Sequence, residues 1–338
     1  MKALRKIHTG EGGVQLFHDM PIPEPGPGQI KIKVIYGSLC GTDIHIREDA
    51  FPVQMPVTMG HEYSAIVDAV GEGVTDFQVG DRVVSMAIFD YCGACDYCRK
   101  GLYMLCKEKK GFGTARNGAF AEYAVLPARN VFKIPEGLSL KETALCEPLA
   151  CAVRGVLERC TVGLGDYVYV SGPGVMGQFV AQLAKLAGAY VTVAGTSMDT
   201  ERLALARELG ADDTFDVMTE DPIEHAEKAT NGHGYDIAFE CSGSFRGVDT
   251  CFDVLRKTGH FQQIALYGKP IQVDMDKALL KEITIANFYA AQRSSFEKLM
   301  VLLAHGQLKI APFCDTVLDL EDWEKGMSMM EQDRKSVV

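Results

Sequence analysis

The stretch Asp166-Tyr167-Val168-Tyr169-Val170-Ser171 runs directly into Gly172-Pro173-Gly174-Val175-Met176-Gly177. Its first half reads as a short buried strand. Val175 to Ala187 reads as an apolar helix and Tyr190 to Ala194 as a second strand. In the order strand, glycines, helix, strand, the G-x-G-x-x-G pattern is a dinucleotide-binding turn. Gly172 permits the tight turn, Gly174 lets backbone approach a pyrophosphate, and Gly177 lets helix and strand pack closely. Val175 and Met176 open the helix whose N-terminus faces the anion.

The end of the second strand selects the cofactor. An acid about 20 residues on from the glycines serves the ribose hydroxyls of NAD. Here the chain reads Val193-Ala194-Gly195-Thr196-Ser197, with Gly195 where the acid is expected and Asp199 and Glu201 further along. Without that carboxylate, a 2′-phosphate meets less repulsion. Thr196 and Ser197 are candidate donors to it and Arg202 a candidate counter-charge, which favours NADP over NAD; Arg202 as a solvated helix residue is the alternative.

Outward from this turn the strand–helix alternation continues. Thr200 to Leu209 is a helix ended by Gly210. Tyr235 to Glu240, Gly259 to Leu266 and Ile283 to Ala286 are strands, with a helix from Phe245 to Leu255 between the first two. This is the pattern of a doubly wound parallel sheet. Upstream the character is β: Gln29 to Tyr36 alternates with period two, and His61 to Val70, Asp81 to Met86 and Phe120 to Pro127 extend the theme. Gly73 and Gly80 punctuate as in a small barrel. Ser139 and Glu142 fit a capping box, followed by a helical run through Leu157. After residue 287 the alternation stops, and two helices, Glu297 to His305 and Glu321 to Glu331, are expected with a β segment between them. The expected class is therefore α/β. A β-rich part spans residues 1–146, a cofactor domain 147–287, and a return to the first part 288–338.

The chain has 338 residues, 47% of them apolar, and a net charge of −11. That size suits two domains, and the acidic balance speaks against nucleic acid and against anionic membrane surfaces as partners. No apolar leader and no run of membrane-span length is seen, so a cytoplasmic protein is expected. Four of the eleven cysteines, Cys92, Cys95, Cys98 and Cys106, fall within fifteen residues. Without an export signal such clustering reads as metal binding, and four thiolates suit a closed structural zinc within a lobe of residues 90–108. A second set is scattered: Cys40 in Cys40-Gly41-Thr42-Asp43-Ile44-His45, His61 and Glu62 after Gly60, and Glu147 before Pro148. Mixed donors of this kind are what a catalytic zinc with an exchangeable position needs. Taken singly, each also reads as a buried thiol, a core histidine or a surface carboxylate.

Together these motifs, in this order over nearly the whole chain, resemble the zinc-containing medium-chain dehydrogenases, and within them the sorbitol (polyol) and threonine dehydrogenase branch. The resemblance implies a barrel-like (GroES-like) catalytic domain interrupted by a Rossmann cofactor domain. It implies that Cys40, His61 and Glu62 bind a catalytic zinc, that Glu147 is a nearby exchangeable ligand, and that Thr42 and His45 relay a proton. The carboxylate Glu62 directly after His61 points to the polyol branch, and homodimers or homotetramers are expected from the family. The implied activity is NAD(P)-linked, reversible oxidation of a polyol or other secondary alcohol to a ketone, with zinc polarising the substrate oxygen. The alternatives are an L-threonine 3-dehydrogenase-like amino-alcohol dehydrogenase and a non-catalytic zinc-scaffolded module. Substrate-pocket residues are expected on Phe112 to Arg116 and near Phe288 to Arg293.

Overall fold

The computed structural model describes residues 1–333. Two compact units emerge: Met1–Cys151 together with the described residues from Tyr289 on, and Ala152–Phe288.

The first unit opens with β1 (Ala3–Lys6), β2 (Val14–Phe17) and β3 (Gln29–Ser38), then helix α1 (Gly41–Arg47). Strands β4 (Val57–Thr58), β5 (Glu62–Val70), β6 (Arg82–Ser85) and β7 (Ile88–Asp90) follow. Next come α2 (Asp96–Arg99), β8 (Lys110–Gly111), β9 (Tyr123–Pro127) and β10 (Val131–Lys133). The main sheet has the order β10-β6-β5-β3-β9, a smaller one β2-β1-β4, and β7 pairs with β8. The period-two pattern of Gln29 to Tyr36 is why β3 can sit centrally: Ile30 and Ile32 enter a core with Val67, Val83 and Leu126. Lys31 departs from that alternation. It is buried, and Glu24 and Asp68 each pair with its ammonium at 3.2 Å.

The helical run expected from Ser139 to Leu157 is two helices, α3 (Leu140–Thr143) and α4 (Cys146–Leu157). The capping box is formed, with Ser139 Oγ accepting from Glu142 N at 3.1 Å.

In the second unit β11 (Tyr167–Ser171), α5 (Val175–Leu186), β12 (Tyr190–Gly195), α6 (Thr200–Glu208), β13 (Asp213–Asp216) and α7 (Pro222–Ala229) alternate. They are followed by β14 (Tyr235–Glu240), α8 (Phe245–Val254), β15 (Leu255–Gln263), α9 (Met275–Leu280) and β16 (Thr284–Ala286). The six strands are parallel in the order β13-β12-β11-β14-β15-β16. Strand order reverses between β11 and β14, and in such sheets ligands bind at the carboxyl ends of the strands there. Tyr169, Phe215, Tyr235, Phe252 and Phe261 fill one side of this sheet.

Two further helices, α10 (Arg293–Ala304) and α11 (Trp323–Asp333), return to the first unit, where Phe296 stacks on Phe132 of β10 at 4.9 Å. The β segment expected between them is absent among the described residues. A 3₁₀ turn, Ala311–Phe313, stands there instead, because Pro312 removes a ladder donor and fixes φ within the apolar run. No described helix is long and apolar enough to cross a membrane.

Candidate active site and cofactor turn

Antiparallel pairing of β3 with β5 sets Ser38 opposite Glu62 and Gly37 opposite Tyr63. The chain leaving β3 at Cys40 therefore meets the chain entering β5 at His61. This register is how Cys40 and His61, far apart in sequence, share one site. Cys40 is the residue capping α1 and holds extended dihedrals there, so its side chain lies at the helix N-terminus. Gly60 has φ +88°, and a Cβ on it would meet Phe120 at 2.5 Å, so only glycine allows this approach to His61. Donor atoms of Cys40, His61 and Glu62 all lie within 4.8 Å of one another.

Glu147, in the first turn of α4, belongs to the same unit and is buried just beyond that tight group. It accepts from the Cys151 thiol at 3.7 Å and acts electrostatically on both Cys40 and His61. Burial pushes Glu147 up, with His61 opposing. Burial and the nearby Cys40 push Glu62 well above the usual carboxylate range. Burial and then Asp43 push the Cys40 thiol up to about 11. For His61 burial acts downward, but Asp43, Glu147 and Glu62 outweigh it and hold it up. Three carboxylates and a thiol driven towards neutrality around one imidazole form a donor set short of positive charge. A divalent cation relieves that shortage, and thiolate, imidazole and carboxylate are zinc's donors.

Asp43 is a buried residue of the candidate site that motif reading quoted without assigning. It is fully buried, accepts the Cys40 N–H at 2.9 Å, and places its other oxygen 3.9 Å from His61 Nδ1. That oxygen has no hydrogen-bond partner. Asp43 thus stands behind both ligands, and Nδ1 facing it leaves Nε2 of His61 for a metal. The sequence signal was an acid three residues after a helix-capping position. Asp43→Asn is expected to weaken zinc retention on the order of 10- to 100-fold, the usual cost of losing such a supporting carboxylate. Competition with a chelator measures it, and unchanged retention sinks the assignment.

Thr42 places both its N–H and its hydroxyl toward the Cys40 sulfur. His45 follows one helical turn later, with Nδ1 buried and unpartnered.

The four-cysteine lobe is compact. Cys92 Sγ lies 3.6 Å from Cys106 Sγ and 3.9 Å from Cys98 Sγ, and all four sulfurs fall within 4.8 Å. A tetrahedral zinc with ~2.3 Å bonds has sulfurs ~3.8 Å apart, so the spacing fits that ion. All the chain's cysteines are free thiols. Cys95 caps helix α2, which sets Cys98 one turn on, and Tyr91 stacks on Tyr103 at 4.3 Å across the neck of the lobe.

In the second unit Gly172 has φ +98°, and a Cβ on it would lie 2.8 Å from Ser242 Cα, at the end of β14. Gly174 caps α5, Val175 and Met176 form its first turn, and Gly177 packs against the Gly172 carbonyl. Gln178, which sequence reasoning missed, is buried and donates to Pro173 O and Arg202 O, tying this turn to α6. The buried Glu240 organises the neighbouring turn, accepting from Ser242 N at 2.8 Å and Gly243 N at 3.1 Å.

At the end of β12, Gly195 is enclosed: a Cβ would meet Pro173 Cγ at 2.9 Å and Asp199 Cβ at 3.0 Å. Thr196 and Arg202 are both held by Asp199, through Thr196 Oγ1 at 2.8 Å and Arg202 Nη1 at 2.7 Å. Ser197 donates to Asp216. The three residues proposed to meet a 2′-phosphate are therefore together, each already on a carboxylate.

Comparison with known proteins agrees with both halves. The alcohol dehydrogenase GroES-like domain family matches residues 26–136, and the zinc-binding dehydrogenase family matches residues 175–305. A sorbitol dehydrogenase of Halalkalibacterium halodurans is 37% identical over 96% of this chain and 94% of its own length. A D-arabitol-phosphate dehydrogenase of Enterococcus avium is 35% identical over 91% of this chain and 88% of its own. The solved structure of a zinc-binding dehydrogenase from Sinorhizobium meliloti, bound to NADP, superposes with a TM-score of 0.87 at 30% identity, covering 97% of this chain and 95% of that one. This chain belongs to the zinc-containing medium-chain dehydrogenases, in their polyol and threonine dehydrogenase branch, and is an NAD(P)-dependent alcohol dehydrogenase.

Proposed function

We propose that the enzyme oxidises a polyol, or a similar secondary alcohol, to a ketone, and runs the reverse reaction. The observation that carries this reading is the mixed donor set of Cys40, His61 and Glu62 with Glu147 beside it, in a chain similar to sorbitol and arabitol-phosphate dehydrogenases. Cys40, His61 and Glu62 would hold the catalytic zinc with Glu147 as the exchangeable fourth, and Cys92, Cys95, Cys98 and Cys106 the structural one. When bound, zinc supplies Lewis acidity that lowers the proton affinity of the substrate hydroxyl. The nicotinamide supplies the hydride acceptor. The chain's own part is positioning and proton traffic. Asp43 faces the His61 ring and favours its charge, Thr42 takes the hydroxyl proton beside Cys40, and His45 passes it outward from the next turn.

Gly172, Gly174, Val175, Met176 and Gly177 would cradle the pyrophosphate. The missing acid at Gly195 and the guanidinium of Arg202 support NADP. Asp199 and Asp216 must share Arg202, Thr196 and Ser197 for a 2′-phosphate to bind, so the same turn also admits NAD. Self-association into a dimer or tetramer is supported by the apolar edge of the second unit, where Leu279 is 72%, Leu280 78% and Ile285 of edge strand β16 42% exposed. A cytoplasmic setting fits a chain whose cysteines are all unpaired thiols, four of them clustered as metal donors.

The test is absorbance of the reduced nicotinamide with NAD and NADP across polyols, their phosphates and threonine, with and without a zinc chelator. Chelator-sensitive turnover of a polyol or polyol phosphate is expected. Turnover of threonine alone moves the enzyme to the amino-alcohol reading.

A further inference from the structure

Glu240 is the last residue of β14 and stands in register with Ser171, the last of β11. Its side chain is fully buried, and no cation pairs with it among the described residues. Its two oxygens are used unequally. Oε1 accepts from Ser242 N at 2.8 Å, from the Ser242 hydroxyl, and from Gly243 N at 3.1 Å. Oε2 is buried and has no hydrogen bond of normal length, though the Tyr267 phenol acts on the carboxyl. A buried oxygen left so costs stability, and burial pushes the carboxyl up, with the Ser242 donors opposing. What the chain gains stands on the other oxygen, where one atom fixes two successive backbone N–H groups and a hydroxyl. That hydroxyl accepts in turn from Ser244 N at 3.2 Å, so residues 242–244 are held together.

The segment so held is packed tightly against its neighbours. Towards α8, a Cβ on Gly247 would meet Ser242 Oγ at 2.4 Å and Glu240 Oε1 at 2.9 Å. Towards the phosphate turn, a Cβ on Gly172 would fall 2.9 Å from both Ser242 N and Ser242 Cβ, and Cys241 N donates to Ser171 O at 2.9 Å. Gly172 is pressed a second time, since its carbonyl oxygen would lie 2.0 Å from a Cβ on Gly177. Close contacts therefore run without a break from Glu240 Oε1 through Ser242 and Gly172 to Gly177. At both glycines backbone meets its neighbour with no side chain between to absorb a shift. These residues stand at the carboxyl ends of β11 and β14, where strand order reverses and a dinucleotide binds.

We propose that Glu240 is a positioning residue for the nicotinamide dinucleotide: it holds the Ser242–Gly243 backbone against Gly172 and so sets the place of the turn that receives the pyrophosphate. The inference rests on the assignment of that turn above and adds to it a residue that acts from beneath, without touching the cofactor. The role asks for an acceptor oxygen and not for charge, because Oε1 meets three donors and no cation. A glutamine amide supplies that oxygen, and an alanine does not.

The experiment measures binding of NADP and of NAD to the zinc-loaded enzyme by calorimetry, well below Tm. Glu240→Ala, Glu240→Gln, Ser242→Ala and Gly174→Ala are compared, with thermal unfolding of each. In Glu240→Ala, Kd for the preferred cofactor is expected to rise about 10- to 100-fold, while KM for the alcohol and kcat at saturating cofactor move less than about threefold. Glu240→Gln is expected to bring Kd back to within about threefold of the unsubstituted enzyme. Ser242→Ala deletes one of the three donors and is expected to raise Kd less, in the same direction; it carries the test if Glu240→Ala does not fold. A lowered Tm with unchanged Kd in Glu240→Ala and Ser242→Ala makes Glu240 a structural residue and overturns the inference. So does a loss in Glu240→Gln as large as that in Glu240→Ala. Gly174→Ala tells this failure from failure of the turn. If it raises Kd and Glu240→Ala does not, the pyrophosphate assignment stands and only the role of Glu240 falls. If neither raises Kd, both fall.

Discussion

His61→Ala is expected to lower turnover by on the order of 10³-fold or more while leaving the chain folded. The argument begins with what the imidazole does. It is the one nitrogen donor in a group whose other members are the Cys40 thiol and the Glu62 carboxylate, all within 4.8 Å. Removing it leaves two donors beside the exchangeable Glu147, and a metal held so loosely exchanges freely. Lewis-acid catalysis contributes several kcal/mol to such reactions, and ~4 kcal/mol is about a thousandfold in rate. The fold is expected to survive because His61 sits just outside the regular part of β5, whose core contacts come from Tyr63, Ala65 and Val67. Metal content by mass spectrometry separates the two groups of donors: the variant should lose the ion at Cys40 and keep the one held by the four-cysteine lobe. Near-normal turnover by a variant that retains only the lobe ion would remove zinc from the chemistry.

How far the sequence alone reaches depends on whether a requirement is local. The turn at Gly172 to Gly177 was legible because the need for glycine is set by neighbours a few residues away: φ at Gly172, and the contact of Gly177 with the Gly172 carbonyl. The four-cysteine lobe was legible for the same reason, its ligands fifteen residues end to end. The proposed zinc donors Cys40, His61 and Glu62 were not legible from pattern alone. Cys40 meets His61 only through the register of β3 on β5, which no single-chain periodicity specifies, and resemblance supplied the grouping instead. What was missed depends on long-range contacts or on competition between side chains. Asp43 acts on a residue eighteen positions away. Asp199 and Asp216 hold the side chains that the sequence offers as candidate phosphate partners. The break between α3 and α4 and the turn at Pro312 show propensity yielding to local geometry.

The two glycines of the phosphate turn are expected to separate folding from cofactor binding. At Gly177 a Cβ would stand 2.0 Å from the carbonyl oxygen of Gly172, a contact between two backbone segments that no side-chain rotation relieves. Overpacking of this kind costs about 2–3 kcal/mol, so Gly177→Ala is expected to lower Tm by roughly 5–10 °C. Gly174 is the opposite case. Its dihedrals, φ −67° and ψ 178°, suit any residue, and no protein atom lies within 4 Å of the position a Cβ would take. Nothing in the chain itself requires glycine there, so the requirement must come from what binds. Gly174→Ala is therefore expected to keep its Tm while KM for the nicotinamide cofactor rises on the order of 100-fold, about 2.7 kcal/mol, because the added methyl takes the space of the pyrophosphate. Thermal unfolding and initial rates at varied cofactor read the two effects separately. If KM for Gly174→Ala stays unchanged, the pyrophosphate does not lie on this turn, and the assignment of the whole Gly172 to Gly177 loop falls with it.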